Sequence, residues 1–219
     1  VLTQKSADPD SPEILQSFCF FQRLNVKTMF TLLQVLQPEF EGLVGAETEE
    51  EDVSTSAGLD QISAVARRVL PGTRHYSSWL TSNTAILINQ QTRDTPLSVQ
   101  IKELWKIYAS TLTLLASTFP VSALTAIDYL LEEDEDTLGF KPFENERAQG
   151  RYYRPGTTTK KPKWHNKGVE RQHPNLEMFG RIRDFLAEGL ALAVDPVCKV
   201  SSVVPYRADR SVRQFQLIL

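Results

Sequence analysis

Cysteine is scarce: only Cys19 and Cys198 occur in 219 residues. They lie far apart beside apolar neighbours, which excludes a disulfide-stapled scaffold and a thiolate metal cluster and fits a reducing compartment. Long apolar runs are also missing. The longest, Phe18–Phe21 and Leu190–Val194, fall far short of the roughly 20 residues that cross a bilayer. A soluble chain with no membrane partner is expected. With 10 Gly and 12 Pro, the composition is neither collagenous nor that of a wholly disordered chain. Because the chain begins at Val1 and not at Met, it reads as a piece of a longer protein.

Catalytic and metal signatures are absent too. His75, His165 and His173 form no i, i+4 pair and have no Cys or carboxylate at a zinc spacing. No Gly-x-Ser-x-Gly elbow occurs. Gly139, Gly150, Gly156 and Gly168 are isolated, so no phosphate-cradling loop exists. The run Glu132-Glu133-Asp134-Glu135-Asp136 is the one candidate for divalent metals, but consecutive residues on a helix point in different directions and do not converge on an ion. The expectation is no enzyme, no cofactor and no small-molecule substrate.

What is present is 41% hydrophobic residues at helical spacing. Ser11-Pro12-Glu13 offers an N-cap, a first-turn proline and an early acid. Ile14, Leu15, Phe18, Phe21 and Leu24 follow, then Val26, Met29, Phe30, Leu33 and Leu36 up to Pro38. These two sets are expected to form a hairpin over residues 1–44. Residues 45–58 hold Glu47, Glu49, Glu50, Glu51 and Asp52 without periodicity and read as an acidic linker. One stripe then runs from Leu59 to Leu70 and stops at Pro71-Gly72, and a second runs from Tyr76 to Gln90, with the polar Asn83 needing a buried partner. Thr95-Pro96 opens a helix of about six turns bearing Leu97, Ile101, Leu104, Tyr108, Leu112, Leu115 and Phe119. A helix from Val121 to Leu131 is expected next, then a long loop, then a helix after His173-Pro174-Asn175 with Met178, Phe179, Ile182, Phe185, Leu186, Leu190 and Ala193 on one face. In the tail, residues 196–219, Val200, Val203 and Val204 favour an extended segment, whereas Val212, Phe215 and Ile218 have helical spacing. The fold class is all-α: antiparallel helical hairpins in a bundle or a TPR-like α-solenoid, with a long irregular basic loop.

Charge is unevenly placed. From Lys141 to His173 there are nine cations against three carboxylates, about +6, in a chain of net charge −3. Arg151, Arg154, Lys160, Lys161, Lys163 and Lys167 interleave with Tyr152, Tyr153 and Trp164. Cations that follow phosphates and aromatics that stack on bases make a single-strand binding surface. The plain alternative is a basic loop that pairs with the acidic run. Arg67, Arg68 and Arg74 flank the turn expected at Pro71-Gly72 and extend the footprint into a groove if packing brings them close.

Several stretches together resemble one family. They are Leu70-Pro71 leading into Tyr76-Ser77-Ser78-Trp79-Leu80; Leu104-Trp105-Lys106-Ile107-Tyr108; Tyr129-Leu130-Leu131 through the acidic run to Thr137-Leu138-Gly139-Phe140; and His173-Pro174 before Glu177-Met178 and Arg181-Ile182-Arg183. The chain resembles the Est-one-type (Ever Shorter Telomeres) DNA/RNA-binding domain, shared by a telomerase-associated protein and the SMG proteins of nonsense-mediated mRNA decay, with fungal members the most similar. The resemblance covers about residues 15 to 194. It implies a non-catalytic all-α scaffold over residues 59–195, with basic loop 141–173. The implied partners are RNA or single-stranded DNA and the proteins of a decay or telomerase complex, in the nucleus and/or cytoplasm. It also implies that Leu138 and Phe140 pin the loop to the helices while the acids face solvent or the basic patch. The competing reading is a pure protein-interaction scaffold without nucleic-acid contact.

Overall fold

The computed structural model describes residues 11–42, 62–119, 124, 126–140, 149–153, 158–162, 174–195, 203–205 and 215–217. The acidic linker and the loop residues Arg154, Lys163, Trp164 and Lys167 lie outside them. Described elements run in the order α1 (Pro12–Glu41), α2 (Ala64–Gln91), α3 (Pro96–Thr118), α4 (Glu132–Thr137), α5 (Gln149–Tyr152), α6 (Pro174–Val194), β1 (Val203–Pro205) and β2 (Phe215–Leu217). The fold is an all-α bundle of packed helices, with one short antiparallel ribbon in which Val204 pairs with Gln216. Val203 and Val204 are extended as expected, but Phe215 is strand and not helix.

The expected N-terminal hairpin is instead a single 30-residue helix, about 45 Å long at 1.5 Å per residue. Ser11 caps it, its Oγ accepting from the Ile14 N–H at 3.3 Å, and Pro12 occupies the first turn. Nothing between Leu24 and Val26 breaks a helix, because Asn25 is only a mediocre helix former. Pro38 sits in the last turn, where few hydrogen bonds remain to be lost. Val26, Met29, Leu33, Leu36 and Phe40 are fully buried. The preceding set is not: Leu15, Phe18, Phe21 and Leu24 are exposed, since a straight helix carries them away from the half they were expected to fold against.

The same correction applies to α2. Pro71-Gly72 lies inside a continuous 28-residue helix. Gly72 brings α2 to within van der Waals contact of α1, a Cβ there standing 3.8 Å from Leu32 Cδ1, and packing overrides the propensity of the two residues. Asn25 opposite Tyr76 and Glu39 bonded to Ser63 show α1 and α2 antiparallel. The inner face of α2 is small and hydroxylated: Thr73, Ser77, Ser78, Thr81 and Thr84 are buried. Thr73 and Thr84 return their hydroxyls to the carbonyls of Val69 and Leu80, and Ser77 meets the Tyr108 hydroxyl at 3.1 Å. Asn83 likewise finds its partner within α2, at the Trp79 carbonyl.

Helix α3 begins as expected, with Thr95 as cap and Pro96 in the first turn. Its apolar face, Ile101, Leu104, Tyr108, Leu112 and Leu115, is the centre of the core. Helix α6 crosses it so closely that a Cβ on Gly189 would lie 2.5 Å from Leu112 methyls. Leu190, expected on that face, is 49% exposed, and Leu192 is buried in its place. The helix expected over Val121–Leu131 is not formed in its described part. Residues 126–131 are non-helical, with a bend at Tyr129 and a bridge at Leu130, and Ile127 and Tyr129 are buried with Asp128 exposed between them. Leu130 donates its N–H to the Lys161 carbonyl at 3.0 Å and bridges Pro162 in parallel. This segment sits on α6 at Gly180, where any Cβ would clash with the Ile127 side chain.

Candidate nucleic-acid interface

The acidic run forms the short helix α4, and its middle residues point inward. Glu133 and Asp134 meet arginines presented by α2 and α6. Arg181 takes Glu133 side-on, Nε to Oε1 and Nη2 to Oε2, both at 2.7 Å. Arg74 holds Asp134 through Nη1 at 2.5 Å and Asp184 through Nη2 at 2.8 Å, with Glu133 at 3.4 Å. Asp134 also reaches back to the Leu131 N–H at 3.3 Å, so the same carboxylate fixes the start of α4. Glu177 accepts the Tyr129 hydroxyl at 2.7 Å. A second arginine pair lies alongside, with Arg151 Nη2 donating to the Arg74 carbonyl at 2.7 Å and to Glu188 at 2.5 Å, and Ser78 Oγ donating to the same Glu188 oxygen at 2.7 Å.

Burial makes these contacts matter. Arg74, Arg151, Arg181 and Asp134 are each at most 5% exposed. Burial works against the Arg74 charge, and Asp134, Asp184 and Glu133 more than offset it, raising its pKa. Burial likewise opposes the Glu133 charge, but the Arg181 fork and the nearby Arg74 win and hold that carboxyl below its ordinary value of 4.5. His75, whose Nε2 lies 3.0 Å from the Glu133 carbonyl, is pushed below 6.5 by burial first and by Arg151 second.

This hub overturns one expectation. Arg74 and Arg151 are internal structural cations and not part of a phosphate-facing surface, because each has carboxylates at ion-pair distance within the fold. In the acidic run Glu132 and Asp136 are exposed while Glu133 and Asp134 are held by Arg181 and Arg74; Leu138 and Phe140 are 44% and 52% exposed, and most of the loop they were expected to pin lies outside the described residues. Among the described residues no group of three or more His, Cys, Asp or Glu side chains that could hold a metal ion is found.

The remaining expected site residues among those described differ in exposure. Lys161 and Arg68 are exposed. Arg67 is half-buried, its Nε donating to the Ile62 carbonyl at 2.9 Å. Lys160 is half-buried, its Nζ donating to the Ile127 carbonyl at 3.0 Å, and burial lowers its pKa. Residues 158–162 are held near the hub by the Lys160 N–H on the Tyr152 carbonyl and by the Leu130 bridge.

The structure also forms a groove of about 370 Å³ between α1 and α2, lined by Phe18, Phe21, Gln22, Asn25, Trp79, Ser82 and Asn83. No sequence argument joined these residues, although Trp79 stands in the Tyr76–Leu80 motif and Phe18 and Phe21 in the first stripe. The signal for it was the surplus of aromatics on α1 before Val26, which the described helices leave exposed.

The family model described as Est1 DNA/RNA binding domain matches residues 1–147. That span takes in α1, α2, α3 and the pinned acidic turn α4. No curated protein and no solved structure matches the chain.

Proposed function

The chain belongs to the Est1 DNA/RNA binding domain family, and from that premise we propose that it is a non-catalytic nucleic-acid-binding and scaffold domain acting in nonsense-mediated mRNA decay and/or telomere maintenance. Its ligand is RNA or single-stranded DNA. The family match is the observation that carries this reading. Phosphates are contacted by exposed Arg68 and Lys161 together with the loop residues Arg154, Lys163 and Lys167, with Trp164 stacking on a base. Lys160 and Arg67 support these contacts from half-buried positions. The hub anchors residues 149–153 and 158–162 to α2 and α6, so the basic loop is presented from a fixed base.

A second reading is favoured by one observation. Phe20 and Leu24 on α1 are 62% and 47% exposed, and clustered exposed apolar side chains suit a protein partner of the same complex.

Titrating a labelled single-stranded RNA and its DNA counterpart at two salt concentrations tests the first reading. Phosphate contacts release counterions, so affinity should fall steeply as salt rises. Absence of binding at low salt would leave the scaffold role alone.

A further inference from the structure

The groove between α1 and α2 has a composition unlike either a phosphate site or a helix-docking site. Among the described residues no charged side chain lines it, so phosphate finds no counterion there. No described Leu, Ile, Val or Met lines it either, whereas a groove for an amphipathic helix presents aliphatic pockets to anchors at i, i+3, i+4 and i+7. Its wall is three aromatic rings, Phe18, Phe21 and Trp79, interspersed with three amides, Gln22, Asn25 and Asn83, and the hydroxyl of Ser82. We propose that this groove binds an unpaired nucleobase of a single-stranded nucleic acid, the base stacking on the exposed aromatic rings and presenting its polar edge to the amides.

Three observations support that assignment. Phe18 and Phe21 are 40% and 57% exposed, so their rings are available to a flat partner, and Trp79 is fixed edge-on against Tyr76 at 6.1 Å between centroids. Gln22 is only 5% exposed, yet its Oε1 has no hydrogen-bond partner among the described residues. A buried acceptor left unmet is costly, and a ring N–H or exocyclic amino group of a base satisfies it. Asn83 Nδ2 donates to the Trp79 carbonyl at 2.8 Å, which orients the amide and leaves its Oδ1 as a second acceptor. Two acceptors favour a base edge that carries an amino donor, that of adenine, cytosine or guanine, over uracil. Arg23 and Lys27, exposed on the same helix, are the nearest cations along α1 for the flanking phosphates.

This inference rests on the nucleic-acid-binding reading, and the test separates the two. The chain is titrated with a labelled oligo(A) and with an abasic oligonucleotide of equal length and charge, as wild type, Phe21→Ala and Gln22→Leu. Phe21 is exposed, so its truncation leaves the fold intact. Wild type should bind oligo(A) about tenfold more tightly than the abasic strand, and Phe21→Ala should narrow that difference without changing the salt slope. Gln22→Leu should weaken oligo(A) and leave the abasic strand unaffected. Equal wild-type affinity for the two strands would overturn the base pocket while leaving phosphate binding in place. A base-dependent difference left undiminished by both substitutions would overturn the groove and locate base recognition elsewhere, as at Trp164. No binding of either strand at low salt would overturn both readings and assign the groove to a protein side chain.

Discussion

Arg181 and Glu133 form a two-point fork across the interface between α6 and α4, each N–O distance 2.7 Å. This pair, with Arg74 on Asp134, holds the acidic turn against two long helices. Glu133 comes from a six-residue helix too short to be stable by itself, and the arginines come from two long ones. The middle of this chain's acidic run, Glu133 and Asp134, is thus explained by internal charge pairing.

Removing one partner of a buried pair leaves the other charge uncompensated and typically costs about 3–5 kcal/mol. Asp134→Ala and Arg74→Met should both show losses of that order in chemical denaturation, and the double variant should lose less than the two singles added together. Leu138→Ala, on an exposed residue of the same turn, should stay within about 0.5 kcal/mol. A larger loss for Leu138 than for Asp134 would favour the hydrophobic-pin reading instead.

Close helix crossings give a second prediction. Gly189→Ala drives a methyl into Leu112 at 2.5 Å, and Gly180→Ala drives one into Ile127, so each should cost about 1–3 kcal/mol from overpacking. Gly42, where an added methyl meets nothing within 4 Å, is the control and should tolerate alanine. In thermal melts Gly189→Ala should cost less in a Leu112→Ala background than in the wild type, the coupling expected of two residues in contact.

Acid should unfold the domain in two stages. His75 is held below its ordinary 6.5 by burial and Arg151, so below pH 6.5 the unfolded chain takes up a proton the folded one resists, and stability falls as pH drops. Glu133, held below 4.5 by the Arg181 fork against the cost of burial, contributes stability above that value that is lost as pH falls through its folded pKa. Melting temperature against pH should show the first decline from about 6.5 and a second below 4.5. His75→Gln should abolish the first and leave the second.

Substitution of the basic residues should sort by burial. Replacing Lys160, Lys161 and Lys163 together should weaken RNA binding and flatten its salt slope, and Trp164→Ala should cost about 1–3 kcal/mol of binding. Arg74→Met should lower stability first, with any loss of binding following the unfolded fraction. Circular dichroism measured beside each titration distinguishes the two effects.

Periodicity alone was enough to give the all-α class, the capped starts at Ser11 and Thr95 and the 23-residue α3, because a helix needs only its own hydrogen bonds and one apolar stripe. The motifs around Trp79, Trp105 and the acidic run were enough for the family. The sequence could not show where a helix continues through a weak breaker. At Asn25 and Pro71-Gly72 packing against a neighbour outweighs the local penalty. Nor could it separate a buried arginine from a surface one: Arg68 and Arg74 read alike in the chain, yet one is exposed and the other meets Asp134 and Asp184. That distinction belongs to tertiary structure, because the charge of Arg74 becomes tolerable inside only when carboxylates 60 and 110 residues away along the chain are brought to it.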